Sequence, residues 1–196
     1  MALNAFENAQ KIAPRENMRH RIEHCTFTWE EQFQRMKQLS VYPSFLIGHI
    51  YYYGDSFRDM IVGEERANLT DSMATALKYD RRPTIHSDYN CQPIDPIRCI
   101  YNAVTRIVMK DGTVLNEKEC ASPEEAIRAI TADAAFQCHM DDIVGTIEKG
   151  KLADFVILDQ DPMKIDPKQI INIKVEQTWA DGNLVYDAKG GVMKPV

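Results

Sequence analysis

The sequence has no apolar run of membrane-spanning length, no basic stripe and no signal peptide, and each absence excludes a class of protein. The 196 residues include 23 Lys and Arg against 29 Asp and Glu, a net charge of -6. An acidic chain without a basic stripe is not expected to bind nucleic acid. No segment approaches the roughly 20 apolar residues of a membrane helix, and the residues that follow Met1 are not those of a signal peptide. We therefore predict neither a nucleic-acid partner nor a membrane partner.

Cysteine is scarce, and the five cysteines are odd in number with no CxxC spacing. This pattern indicates reduced thiols and a cytoplasmic location, not a disulfide framework. Hydrophobic residues make up 44% and charged residues 27% of the chain, which is typical of a globular protein. The length suffices for one domain with a core, or for a large domain and a small one.

Strand and helix patterns alternate over roughly the first 140 residues. Short alternating or apolar runs at residues 18–24, 43–50 and 83–88 predict strands, and helical spacing or helix-start signals lie between and after them. After Asp142 the pattern changes to short strands with tight turns. We therefore predict an α/β fold with a parallel sheet over residues 1–142, and a small β region over residues 143–196.

The connections between these elements carry further expectations. The polar and aromatic segment Tyr51 to Leu69 is predicted to be a long loop, and long loops in compact domains are often functional. Thr70 or Asp71 is predicted to cap a helix that runs to about Tyr79. Helices are also predicted to start at Asp95-Pro96 and at Ser122-Pro123-Glu124-Glu125, where a capping residue precedes a proline.

Several short motifs follow one another in an order that resembles a known family. They are Arg19-His20-Arg21-Ile22-Glu23-His24, Ser87-Asp88 with Pro93-Ile94-Asp95-Pro96, Ala103-Val104-Thr105-Arg106, and Gly145 to Phe155. Together they resemble the amidohydrolase superfamily, in the branch of amidohydrolase family 3 that contains N-substituted formamide deformylase-like enzymes. The resemblance covers nearly the whole chain.

This resemblance implies a metal-dependent hydrolase that cleaves non-peptide carbon–nitrogen bonds of a small-molecule substrate. The family fold is a TIM (β/α)8 barrel with a small β-sandwich, and the chain resembles its carboxyl-terminal part, about strands six to eight with part of the sandwich. The implied cofactor is zinc or another divalent metal. No His-x-His pair occurs in the sequence, so we expect the isolated chain to be inactive and leave open whether it binds a metal. The alternative is a non-catalytic truncated product, or a subunit that needs a separate amino-terminal half.

On this family pattern, His24 is the metal ligand of the sixth strand and Asp88 the metal ligand of the eighth. Asp88 would also be catalytic, because it would take a proton from the attacking water and pass it to the leaving amine. Taken alone, the residues favour a structural interpretation of both positions. His24 would then be a hydrogen-bonded histidine at a strand end, and Asp88 would cap the loop that follows its strand.

Three further residues are candidates for substrate binding. His49, in the Gly48-His49-Ile50-Tyr51 segment, would contact a substrate carbonyl or oxyanion, and Tyr51 would help to form the pocket. An aromatic loop packed on the barrel rim explains both residues equally well. His86 lies two positions before Asp88, so both point to the same side of an extended strand, and His86 would line the pocket or orient Asp88.

Three parallel strands leave open sheet edges and an unfilled barrel interior, which favour association. We therefore predict a homo-oligomer, or association through the exposed barrel edges.

Overall fold

The computed structural model describes residues 1–192, which form one parallel and one antiparallel sheet together with surrounding helices. The strands are β1 (His20–His24), β2 (Val41–Leu46), β3 (Thr84–His86), β4 (Phe155–Leu158), β5 (Val175–Ala180), β6 (Asn183–Asp187) and β7 (Gly191–Val192). The helices are α1 (Ala2–Ile12), α2 (Glu30–Leu39), α3 (Gly48–Ser56), α4 (Gly63–Ala67), α5 (Met73–Lys78), α6 (Pro96–Thr105), α7 (Pro123–Ile130) and α8 (Ala132–Gln137). A π-helical turn spans Phe57–Ile61, and 3-10 turns span Glu117–Glu119 and Pro167–Asn172.

The parallel sheet has the strand order β1-β2-β3, as the alternation of strands and helices predicts. His24 pairs in register with Phe45, and Leu46 pairs with His86. The central strand is buried along most of its length, which is typical of a parallel strand covered on both faces. Because of this register, the carboxyl ends of all three strands lie at the same edge of the sheet.

The core lies between this sheet and the helices that flank it. Phe33 and Met36 of α2 and Phe45 of β2 are almost completely buried in one hydrophobic cluster. Ile170, in the 3-10 turn at Pro167–Asn172, is part of the same cluster and is also fully buried. The core therefore includes a residue that lies beyond position 142 in the sequence.

The predicted long loop from Tyr51 to Leu69 is wrong, because most of this segment is helical. It contains the rest of α3, the π-helical turn and α4. Glycine and aromatic residues lower the intrinsic helix propensity here, but tertiary packing overrides it. Gly54 lies against the chain that follows α6, where an added Cβ would come within 2.8 Å of a Val108 methyl group.

The predicted cap at Thr70 or Asp71 is also wrong. Helix α5 begins at Met73, and Ser72 precedes it without a side-chain cap. Both Thr70 and Asp71 are fully buried, and neither side chain has a hydrogen-bond partner among residues 1–192. The two other predicted helix starts are confirmed. Asp95 accepts a hydrogen bond from the Arg98 N–H, and Ser122 forms a capping box at the start of α7.

The last part of the chain forms the antiparallel sheet, with the order β4-β5-β6-β7. One of the tight turns expected after Asp142 joins β5 and β6, with Asp181 and Gly182 at φ values of 47° and 73°. Positive φ at both central residues is the turn geometry that suits the twist of a two-residue hairpin. The division into domains at residue 142 stays a prediction.

All five cysteines are free thiols, in agreement with the sequence. Burial raises the pKa of the Cys25 and Cys99 thiols to about 12, so both stay protonated and unreactive. Within residues 1–192, no helix is both long enough and apolar enough to cross a bilayer. The cytoplasmic location stays a prediction.

Candidate active site

Two predicted metal ligands meet at the carboxyl edge of the parallel sheet. His24 is the last residue of β1, and Asp88 follows β3 by two residues. The His24 Nε2 atom lies 3.4 Å from Asp88 Oδ2, and the two side chains are 44% and 42% exposed. Strands β1 and β3 both run parallel to β2, so both residues leave the sheet at the same edge. The pair is open to solvent and could contact a bound ion or substrate.

The backbone at this edge is strained. His24 and Cys25 have φ values of 67° and 47°, and Asp88 has a φ of 48°. Non-glycine residues rarely adopt this left-handed conformation, which costs on the order of 1–3 kcal/mol each and clusters at functional sites. Ten other non-glycine residues among 1–192 also have positive φ, so this conformation defines the shape of the two turns and does not by itself mark a functional site.

His86 lies beside His24 inside the same edge. The two ring centroids are 5.3 Å apart, and His86 Nδ1 is 3.0 Å from the hydroxyl oxygen of Ser44 on β2. Burial lowers the pKa of His86, which favours the neutral imidazole. The carbonyl of His86 accepts a hydrogen bond from Gln92 Nε2 at 3.1 Å. This strand end is therefore held by both a side-chain and a backbone contact.

His49 approaches the pair from the next element, because it lies in the first turn of α3 directly after β2. Its ring centroid is 6.0 Å from that of His24. The rings of Tyr53 and Phe57 lie 6.0 Å and 5.7 Å from His49 and form an aromatic wall on its other side. His49 Nδ1 lies 3.3 Å from the Thr26 hydroxyl oxygen. Three histidines and one aspartate thus come together at the edge of the sheet.

A buried carboxylate lies beneath His49. Asp71 is fully buried, and its Oδ2 atom lies 3.9 Å from His49 Nδ1, a distance at which charges interact but no hydrogen bond forms. Burial raises the pKa of the Asp71 carboxyl to about 6, although His49 and the Arg106 guanidinium act in the opposite direction. Arg106 is itself fully buried and donates to the Thr70 and Asp71 carbonyl oxygens at 2.7 Å and 3.1 Å.

Tyr51 is placed elsewhere. Its ring packs against Tyr101 of α6, with a centroid distance of 6.5 Å, and beneath the Arg98 guanidinium. Tyr53, two positions later, occupies the place beside His49 that the sequence analysis gave to Tyr51. Because the predicted loop is a helix, residues 51 and 53 point to different sides of it. The substrate-binding role of Tyr51 stays a prediction without a contact to the histidine cluster.

Apart from Tyr53 and Phe57 of the aromatic wall, four residues of the site were not identified from the sequence as site residues. Thr26 and Ser44 contact ring nitrogens, Asp71 lies beneath His49, and Arg106 holds the backbone around Asp71. No local pattern distinguishes these residues, because each contact joins positions at least 22 residues apart. Arg106 belongs to a motif that resembles the family, and that motif was the one available signal.

Among residues 1–192, no group of three or more His, Cys, Asp or Glu side chains has the geometry of a metal site. His24 and Asp88 supply one imidazole nitrogen and one carboxylate, which are donors that suit zinc and other divalent metals. Their 3.4 Å separation fits two ligands of one ion, and the partly exposed position leaves room for ligands from other strands.

Comparisons with known proteins identify the family and fold of the chain. Residues 1–186 match the model of the amidohydrolase family. The N-substituted formamide deformylase of Arthrobacter pascens is 28% identical over 191 residues, which are 97% of this chain and 35% of that protein. A solved metal-dependent hydrolase of uncharacterised function from Pyrococcus horikoshii OT3 is 26% identical, with a TM-score of 0.69 over 85% of this chain and 32% of its own. A similar hydrolase from Pyrococcus furiosus is 32% identical, with a TM-score of 0.67 over 83% of this chain and 31% of its own. The chain thus spans about a third of the length of these relatives.

Proposed function

Because the chain belongs to the amidohydrolase family, we propose that it forms the carboxyl-terminal part of a metal-dependent hydrolase that cleaves non-peptide carbon–nitrogen bonds. In this proposal, residues 1–142 correspond to strands six to eight of a (β/α)8 barrel and residues 143–196 to part of the β-sandwich. The observation that supports it most directly is the contact between His24 and Asp88 at the carboxyl ends of β1 and β3. That edge of a barrel sheet is where barrel enzymes place their catalytic residues.

His24 and Asp88 would hold the metal, with further ligands supplied from outside residues 1–192. When bound, a divalent metal supplies Lewis acidity and lowers the pKa of water, so that hydrolysis proceeds near neutral pH. Zinc suits an imidazole and carboxylate ligand set. Two ligands are fewer than the three protein ligands of a catalytic zinc site, so the chain alone is expected to bind metal weakly.

The side chains of this chain would perform the proton transfers and the positioning. Asp88 would accept a proton from the attacking water and return it to the leaving amine nitrogen. His86 would orient the end of β3, which leads to Asp88, through the contact of its Nδ1 atom with the Ser44 hydroxyl. His49 would contact the small-molecule substrate beside the aromatic wall of Tyr53 and Phe57.

The second candidate function is that of a non-catalytic subunit or truncated product that needs a separate amino-terminal half. The observation that favours it is that, within the described residues, no group of three or more His, Cys, Asp or Glu side chains has the geometry to hold a metal ion. Both candidates involve association. The outer strands β1 and β3 have no partner on their far sides within residues 1–192, and unpaired edges favour pairing with another chain. We therefore propose a homo-oligomer, or association through these edges, and a monomer in light scattering would contradict this.

The test is a hydrolysis assay with a panel of N-substituted formamides and N-acyl amines, in which release of free amine is measured with zinc, manganese or cobalt present. The chain alone is expected to show no more turnover than an H24A/D88A double variant. If a coding sequence upstream of Met1 supplies a His-x-His pair, the protein expressed with that segment should turn over a substrate, and Asp88→Asn should abolish turnover. Turnover by the chain alone would refute the requirement for further ligands. An inactive extended protein would favour the non-catalytic subunit.

A further inference from the structure

The carboxylate of Asp71 is the least expected group in the structure. Its side chain is fully buried, and neither oxygen has a hydrogen-bond partner among residues 1–192. Buried carboxylates are normally paired, because the loss of hydration is costly when nothing replaces it. The fold keeps this group in place although a neutral residue of the same size would fit, and this points to a role other than stability.

The backbone around Asp71 is fixed from several sides. Its N–H donates to the Thr26 carbonyl at 2.9 Å, and its carbonyl accepts hydrogen bonds from the Met73 N–H at 2.8 Å and from Arg106 Nη1 at 3.1 Å. These contacts hold Asp71 in the left-handed conformation, with a φ of 47°. The side chain therefore has a defined position beneath the ring of His49, and Thr26 connects the two residues.

Two oxygens lie near His49 Nδ1, and only one of them discriminates between the two proton positions. The Thr26 hydroxyl, at 3.3 Å, could either accept a hydrogen bond from Nδ1 or donate one to it. The Asp71 carboxylate, at 3.9 Å, cannot donate when ionised, and its charge favours a proton on the nearer ring nitrogen. With the proton on Nδ1, the Thr26 hydroxyl accepts it and both contacts are favourable.

We propose that Asp71 is a positioning residue that fixes the proton of neutral His49 on Nδ1 and thereby leaves Nε2 as a hydrogen-bond acceptor. The two nitrogens of an imidazole ring lie on opposite sides, so Nε2 is turned away from the buried carboxylate. An acceptor at this position would bind a substrate N–H or hydroxyl group, not the carbonyl oxygen that the sequence analysis assigned to His49. The use of Nε2 toward substrate rests on the proposed function, whereas the position of the proton does not.

The experiment is a long-range 1H–15N NMR spectrum of the histidine rings in the metal-free chain at about pH 8, with His49 assigned by its loss in His49→Gln. The wild-type protein is expected to show a protonated Nδ1 and an unprotonated Nε2 for His49. In Asp71→Asn the Nε2-protonated form should become the major form. In the matched control Thr26→Val, the proton should remain on Nδ1, because Asp71 is unchanged.

A wild-type spectrum with the proton on Nε2 would overturn the proposal, even if the Asp71 and Thr26 variants failed to fold. A proton that stays on Nδ1 in folded Asp71→Asn would also overturn it, and loss of the Nδ1 proton in Thr26→Val would assign the effect to Thr26 instead. Circular dichroism of each variant verifies that it is folded. Because no substrate or metal is used, failure of the proposed hydrolase function would not alter this result.

Discussion

Replacement of Asp71 by asparagine should stabilise the protein at neutral pH, and much less so in acid. Asparagine has nearly the same size and tolerates the left-handed conformation that Asp71 adopts. The pKa of the buried carboxyl is raised from 3.8 to about 6 by burial. The folded state therefore binds a proton more tightly than the unfolded state, and the stability contributed by this group falls as the pH rises between these two values.

The size of the effect follows from the shift of about 2 pKa units. At pH 7.5 the carboxylate is ionised in both states, and its burial lowers the free energy of unfolding by about 3 kcal/mol. At pH 4.5 the folded carboxyl is largely protonated, and the same linkage leaves a cost of roughly 1 kcal/mol. Asparagine has no such dependence, so the difference between the two proteins should grow by about 2 kcal/mol from pH 4.5 to pH 7.5.

Urea denaturation of both proteins at the two pH values measures this difference. The slope of the unfolding free energy against urea concentration should be the same for both proteins, so that the urea midpoints report stability alone. A difference in unfolding free energy that does not change with pH would refute the raised pKa of Asp71. A variant that becomes less stable relative to wild type as the pH rises would show that His49 and Arg106 outweigh burial.

Three other substitutions test the surroundings of the site. Gly48→Ala should destabilise the protein by about 1–3 kcal/mol, because the new Cβ would overlap the buried Gln92 carboxamide. Thermal unfolding should show that the double variant G48A/Q92A recovers part of this stability, and equal losses in the single and double variants would contradict the overlap. Arg106→Lys should cost about 3 kcal/mol or more, because the single ammonium nitrogen of lysine cannot reach all three carbonyl oxygens that the Arg106 Nε, Nη1 and Nη2 atoms contact. An unchanged urea midpoint would exclude this role. Ser122→Ala should lower the free energy of unfolding by about 1 kcal/mol, because the capping box of α7 is lost. The control is Ser40→Ala at an exposed position, and equal stability of the two variants would argue against the cap.

Features that depend on local sequence were predicted well. The caps at Asp95 and Ser122 were recognised because a capping side chain and a proline lie next to each other in the sequence. The three parallel strands were recognised from their apolar or alternating runs. Because the carboxyl ends of parallel strands lie at the same edge of a sheet, the predicted parallel sheet was sufficient to place His24 and Asp88 at one edge.

Features that depend on tertiary contacts were not predicted. The segment after β2 has glycines and tyrosines that disfavour a helix, yet Gly54 allows it to pack against Val108. Asp71 was assigned as a helix cap because aspartate before a helical pattern normally is one. Its backbone carbonyl accepts a hydrogen bond from Arg106, which is 35 residues away in the sequence, and no local pattern reports such a contact.

The claim that His24 and Asp88 are two ligands of one metal is tested most directly by a zinc titration of the chain, followed through the 15N resonances of the histidine rings. Weak binding at one site should shift the Nε2 resonance of His24, and His24→Ala and Asp88→Ala should each weaken this binding at least tenfold. The matched control is His139→Ala, because His139 is exposed and contacts the Met18 carbonyl instead, and this variant should bind zinc as wild type does. Zinc binding that leaves the His24 resonance unmoved, or that persists unchanged in both ligand variants, would contradict the assignment.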